Sequence, residues 1–99
     1  MIRHLVFWSF APGFSDEQNR KNAESIKELL ENLRGIVPGI KKLEVKINPL
    51  NGSNRDIMLD SAFASEEALD EYQQHPEHKR AGEYIKTVAT DRACFDFEE

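Results

Sequence analysis

The sequence predicts an α+β domain: one antiparallel sheet covered by helices on one face. Three observations predict it. Four stretches, near residues 2–10, 40–47, 56–64 and 91–97, are rich in β-branched and aromatic residues and alternate along the chain. Two stretches between them, 15–34 and 65–88, place apolar residues three and four apart. The whole chain has 99 residues, the size of one domain.

The first strand carries Ile2, His4, Val6, Trp8 and Phe10 on one face and Arg3, Leu5, Phe7 and Ser9 on the other. Both faces are largely apolar, as in a strand covered on both sides. Ala11-Pro12-Gly13-Phe14 makes a turn, and Ser15 with Gln18 forms a capping box for the first helix. Ala23, Ile26, Leu29, Leu30 and Leu33 give that helix one apolar stripe, with the Lys27–Glu31 pair on its wet side. Gly35 is placed to end the helix and Pro38-Gly39 to turn the chain.

In the second strand Leu43, Val45 and Ile47 alternate with Lys42, Glu44 and Lys46. A loop of turn formers, Asn48 to Asn54, leads to the third strand. There Ile57, Leu59, Ser61 and Phe63 share one face, and Met58, Asp60 and Ala62 the other. Asp60 in mid-strand calls for a nearby base. Ser65 caps the second helix, whose apolar side is Ala68, Leu69 and Tyr72. His75-Pro76 interrupts it, and a new helix starts at the proline. In the last strand Ala93, Phe95 and Phe97 oppose Arg92, Cys94 and Asp96.

The resulting order, β-α-β-β-α-β with the second helix split, is the ferredoxin-like arrangement. It leaves one sheet face bare, with Leu5, Phe7, Met58, Phe95 and Phe97 as candidates for it. A bare apolar face is an association surface. A homodimer packed sheet to sheet is therefore expected.

Composition narrows the function. With 39% hydrophobic residues the chain can build a core, while 31% are charged and the net charge is −5. That balance argues against nucleic acid, whose phosphates need a basic patch. The segment Glu66–Glu77 holds five acids and no Lys or Arg. A single cysteine, Cys94, excludes an intrachain disulfide and a cysteine-built zinc site. No apolar run approaches a membrane span, and the start lacks a signal-peptide pattern, so a cytoplasmic location is expected.

The stretch richest in chemistry is Tyr72-Gln73-Gln74-His75-Pro76-Glu77-His78, with a phenol and two imidazoles beside a helix break. The break bends the chain, so Tyr72 and His78 can face one cavity between helices and sheet. His4, Val6, Trp8, Leu59 and Cys94 would form its floor, with Ile26 and Leu30 as walls. Bland roles compete at each position. Tyr72 can be a core residue, His75 an N-cap and His4 a satisfied core histidine. His78 can fix the helix junction through a backbone carbonyl. His75, Glu77 and His78 lack a fitting ligand spacing, so no metal is expected. Aromatics alternating on strands read as core, and no cofactor is expected. Cys94 reads as a small buried residue rather than a nucleophile.

Ile2-Arg3-His4-Leu5-Val6, Pro38-Gly39-Ile40, Phe63 before the acidic cap, Tyr72-x-x-His75-Pro76-x-His78 and Phe95-Asp96-Phe97 together resemble the stress-responsive α/β-barrel (Dabb) family over the whole chain. The resemblance implies one domain over 1–99 that dimerises through its sheet into a dimeric α/β barrel. The family includes a plant polyketide cyclase that works by aldol condensation without a cofactor. By resemblance, Tyr72 and His78 would be the catalytic pair and His4 part of the pocket. Three function classes stand: a cofactor-independent cyclase or isomerase acting on a carbonyl compound, a non-catalytic binder of a small apolar ligand, and a stress-associated structural protein.

Overall fold

A computed structural model describes all residues, 1–99. Four strands, β1 (Ile2–Phe10), β2 (Ile40–Lys46), β3 (Ile57–Phe63) and β4 (Ala89–Glu98), form one sheet in the order β2-β3-β1-β4. Every neighbouring pair is antiparallel. Helices α1 (Asp16–Glu31), α2 (Glu66–Gln74) and α3 (Pro76–Val88) cover one sheet face, and a 3₁₀ turn, Asn32–Gly35, prolongs α1. The fold is ferredoxin-like α+β, as the order of elements predicts.

Local chemistry sets the helix ends. The backbone N–H of Gln18 donates to Ser15 Oγ, and the Gln18 side chain accepts from Ser15 N–H, so both arms of the capping box are closed. Ser65 accepts from the Ala68 N–H and starts α2. Val6, Ile26, Leu30, Leu43, Val45 and Phe63 are almost wholly removed from water between helices and sheet. Burial of such side chains contributes about 25 cal/mol per Å2 of apolar surface and is the main stabilising term.

The Lys27–Glu31 pair differs from its expected role on a wet helix face. Glu31 accepts from the Val45 N–H at 2.9 Å, and Lys27 donates to the Val45 carbonyl at 2.7 Å. β2 is an edge strand, so Val45 has backbone groups free to pair. The ion pair therefore ties α1 to that edge and blocks further strand pairing there.

Asp60, odd in mid-strand, pairs with Arg3 and with Lys42, the latter at 2.8 Å. Burial opposes ionisation of its carboxyl, but the bonds from Lys42 and Arg3 prevail and hold it below the usual range. Lys46 pairs with Glu44 on the β2 side of the same face, and the apolar residues lie toward β1 and β4. Leu5, Phe7, Met58 and Phe97 are half-buried, and Phe95 stands 63% exposed. No helix is long and apolar enough to cross a membrane.

The last strand begins two residues before the expected Asp91, and it contains a bulge. Phe7 pairs with Ala93 but Ser9 with Thr90, so Asp91 and Arg92 together oppose Trp8. Asp91 takes a positive φ of 54° to fit the extra residue.

Gly39 sits in the Pro38-Gly39 turn at φ +82°, and a Cβ there would lie 2.8 Å from that of Ala68. Gly39→Ala combines a disfavoured backbone with a clash and should cost about 2 kcal/mol in urea unfolding. A loss below about 0.5 kcal/mol would mean that the turn relaxes freely.

Candidate functional site

The site is built on the helix break. His75 leaves helical geometry at φ −63°, ψ 135°, the extended conformation favoured before a proline. It ends α2 and caps α3, where its Nδ1 accepts from the Glu77 N–H at 3.0 Å. His75 is thus an N-cap. Pro76 takes the first helical position, where its missing N–H costs nothing.

The bend brings Tyr72 from α2 against His78 from α3. Their ring centroids are 4.5 Å apart. Tyr72 also packs on Phe63 at 5.0 Å and stands edge-on to His4 at 6.4 Å. The rings border a cavity of about 420 Å3 between α3 and the sheet, a volume that suits a small organic molecule. His4, Val6, Trp8, Leu30 and Leu59 line it, as the sequence suggests, together with Gly82 and Ile85.

Two expected lining residues lie elsewhere. Ile26 is fully buried in the core behind the wall. Cys94 is exposed, contrary to the expectation of a buried floor residue. β4 is the sheet edge farthest from β2, so its helix-side positions beyond Ala89 stay largely uncovered. A further hollow, about 390 Å3 beneath the 49–56 loop, is lined by Phe7, Lys46, Pro49 and Arg55 and holds no comparable acid–base pair.

The two polar rings in the cavity wall are unusual in what they lack. Tyr72 Oη and His78 Nδ1 are sealed from solvent and have no hydrogen-bond partner. Orphaned buried polar atoms cost about 1–3 kcal/mol each. Burial lifts the Tyr72 phenol well above its ordinary pKa, with Arg92 pulling slightly the other way. It therefore remains a neutral O–H donor at any physiological pH. Burial also lowers His78, against a smaller opposing pull from the Gln73 carbonyl, so its imidazole is neutral near pH 7.

His4 is the contrast. Its Nδ1 lies 2.5 Å from the Asp96 carboxylate, its cross-strand partner on β4. Burial raises Asp96, but the bonds from His4 and Cys94 outweigh this and keep it ionised. A carboxylate only accepts, so Nδ1 carries the proton. The Cys94 thiol also donates to Asp96, at 3.3 Å, and burial plus that carboxylate push its pKa up. It keeps its proton and is no nucleophile. The donor atoms of His4, Cys94 and Asp96 fall within 4.8 Å of one another, and hydrogen bonds into Asp96 already engage them.

The cavity has a cationic rim that the sequence reading missed. Lys79, Lys86 and Arg92 line it, with Glu83 as its one carboxylate. Lys79, Glu83 and Lys86 follow helical spacing and were legible as one stripe. Arg92 shares its strand face with Cys94 and Asp96, so strand alternation already places it on the cavity side.

A ferredoxin-like sheet with an apolar pocket under its helices describes a class of scaffold. Within it, this chain belongs to the stress-responsive A/B barrel domain (Dabb) family, whose model matches residues 2–99. It resembles a dimeric ferredoxin-like protein of unknown function from Bacteroides fragilis NCTC 9343, at 31% identity and TM-score 0.91, over 99% of this chain and 95% of that one. A dimeric ferredoxin-like protein of unknown function from Thermobifida fusca YX follows at 22% and 0.82, over 99% and 90%. A hydroxynitrile lyase from Passiflora edulis shares the fold at 16% and 0.78, over 97% and 90%. No curated protein matches the chain.

Because the Tyr72 hydroxyl has no partner, Tyr72→Phe should leave stability unchanged or raise it by about 1 kcal/mol. A loss above about 1 kcal/mol in chemical denaturation would show that the hydroxyl is satisfied in the folded protein.

Proposed function

We propose that the chain is a homodimeric enzyme that moves a proton beside a carbonyl without a cofactor, in an aldol-type cyclisation or an isomerisation of a small carbonyl compound. One observation carries the reading: a neutral imidazole and a neutral phenol, each with an unpartnered polar atom, His78 Nδ1 and Tyr72 Oη, meet at the wall of an apolar cavity. A bound carbonyl compound supplies what each group lacks. His78 takes the proton α to the carbonyl and becomes imidazolium. The Tyr72 O–H donates to the enolate oxygen that develops. The enolate carbon then attacks a second carbonyl of the same molecule, and His78 returns its proton to the new alkoxide. In an isomerisation, His78 returns the proton at another carbon.

A thermal-shift screen of small carbonyl, phenolic and polyketide-like compounds tests the pocket. A ligand at 100 times its dissociation constant stabilises by about 2.7 kcal/mol, a shift of several degrees for a domain this size. The hit should be lost in His78→Ala. Turnover of that hit should fall by about a hundredfold or more in His78→Ala and Tyr72→Phe. Binding retained with unaltered turnover in both variants would defeat the acid–base roles. Binding with no turnover in wild type would assign the pocket to a binder instead.

The pH profile follows from His78. Its lowered pKa means that the neutral form persists below the ordinary value of 6.5. Activity should be flat from neutral pH down to about 6.5 and fall only at lower pH. The same group stabilises the fold above its unfolded pKa, and that contribution is lost as pH falls toward the folded one. Activity already declining between pH 8 and 7 would place the base elsewhere.

The homodimer rests on the open sheet face, and the B. fragilis and T. fusca proteins are themselves described as dimeric. Two copies would pack Leu5, Phe7, Met58, Phe95 and Phe97 face to face and close a barrel. Light scattering should give twice the 11.4 kDa chain mass, and Phe7→Glu should give the single mass. A Phe7→Glu dimer would mean that the contact lies on another face.

A further inference from the structure

Arg92 stands at the edge of the cavity, near Cys94 and Asp96, on both of which its charge acts. It forms no ion pair, and neither do Lys79 and Lys86 beside it. In a chain of net charge −5, a cavity with three cations and one carboxylate is the reverse of the average surface. The charge is also held near the chemistry. Arg92 acts electrostatically on both Tyr72 and His78.

The backbone puts it there. Arg92 continues the regular register of Asp96 and Cys94 and falls opposite Trp8 on the same face, and Asp91, at φ 54°, is the extra residue that ends this register. Trp8 and Arg92 both line the cavity. The inner wall, made of Val6, Leu30, Leu59 and Ile85, offers nothing to a charge. The cavity is therefore polarised, with an apolar interior at one end and a guanidinium outside any ion pair at the other.

We propose that the molecule bound here is an organic acid with an apolar body, whose carboxylate is held by Arg92 at the cavity edge. The inference rests on the pocket assigned above and adds the class of its ligand. The guanidinium fork matches a carboxylate through two parallel N–H···O bonds, which a lysine cannot reproduce. Lys79 and Lys86 add a general attraction for anions. The grip fixes the acid end, so the carbon body points inward toward Tyr72 and His78.

The test uses 4-phenylbutanoate and its neutral analogue 4-phenylbutanamide as probes in isothermal titration calorimetry. Wild type should bind the acid about tenfold more tightly than the amide, as one charge-assisted bidentate contact predicts. Arg92→Leu should bring the acid to the level of the amide and leave amide binding unchanged. Arg92→Lys should retain only part of the preference. Arg92→Gln, which keeps a polar edge, guards against misfolding of the leucine variant and should also lose the preference. Equal binding of acid and amide by wild type would overturn this inference and leave the pocket intact. So would a preference that survives in the folded Leu and Gln variants. Binding of neither probe by folded wild type would overturn the inference and the pocket assignment together.

Discussion

Pro76 has no N–H to donate, and the residue before it is driven out of helical geometry. Everything distinctive about this molecule follows from that constraint. His75 takes the extended conformation, closes α2 and caps α3 with its own ring. Residues 72 and 78 would lie on different sides of a continuous helix. Across the bend their rings sit 4.5 Å apart over the sheet. The candidate site thus arises from a local rule of backbone sterics, over a floor that the sheet supplies.

Polar satisfaction divides the buried polar groups into two sets. His4 is buried, but Asp96 accepts from its Nδ1 and the need is met. Asp60 is paired twice and Glu31 accepts from both a side chain and the β2 backbone. These groups hold the fold. Tyr72 Oη and His78 Nδ1 are the exceptions in the cavity, buried and unpaired. Asp60 and Glu31 are met by partners, whereas these two neutral groups carry an unfavourable energy at the cavity wall.

Much of the fold is legible in the residues. Alternation in Leu43-Glu44-Val45-Lys46, the Ser15–Gln18 capping box and His75-Pro76 each act through near neighbours, and each gives the element that the chain adopts. The candidate site is legible in part. Tyr72, His78, His4, Val6, Trp8, Leu30 and Leu59 come together because helix and strand periodicity assigns them to one side. Cys94 fails because alternation reports a face and not its cover. The helices leave that part of β4 bare. Arg92 was legible as a residue on the face of Cys94 and Asp96, and the register of β4 against β1 carries it on to Trp8. Lys27 and Glu31 read as a helix-surface pair because their real partner, Val45, lies in another element.

The central claim is that His78 is held neutral, with Nδ1 unpartnered, until a ligand arrives. Its protonation can be followed directly by NMR titration of the protein with isotope-labelled histidine, where only His4, His75 and His78 contribute signals. The account predicts that the His78 signal titrates below the ordinary histidine value of about 6.5 and moves when a ligand fills the cavity. A His78 that titrates at or above that value, and that ignores cavity ligands, would contradict it and make the segment a helix junction alone.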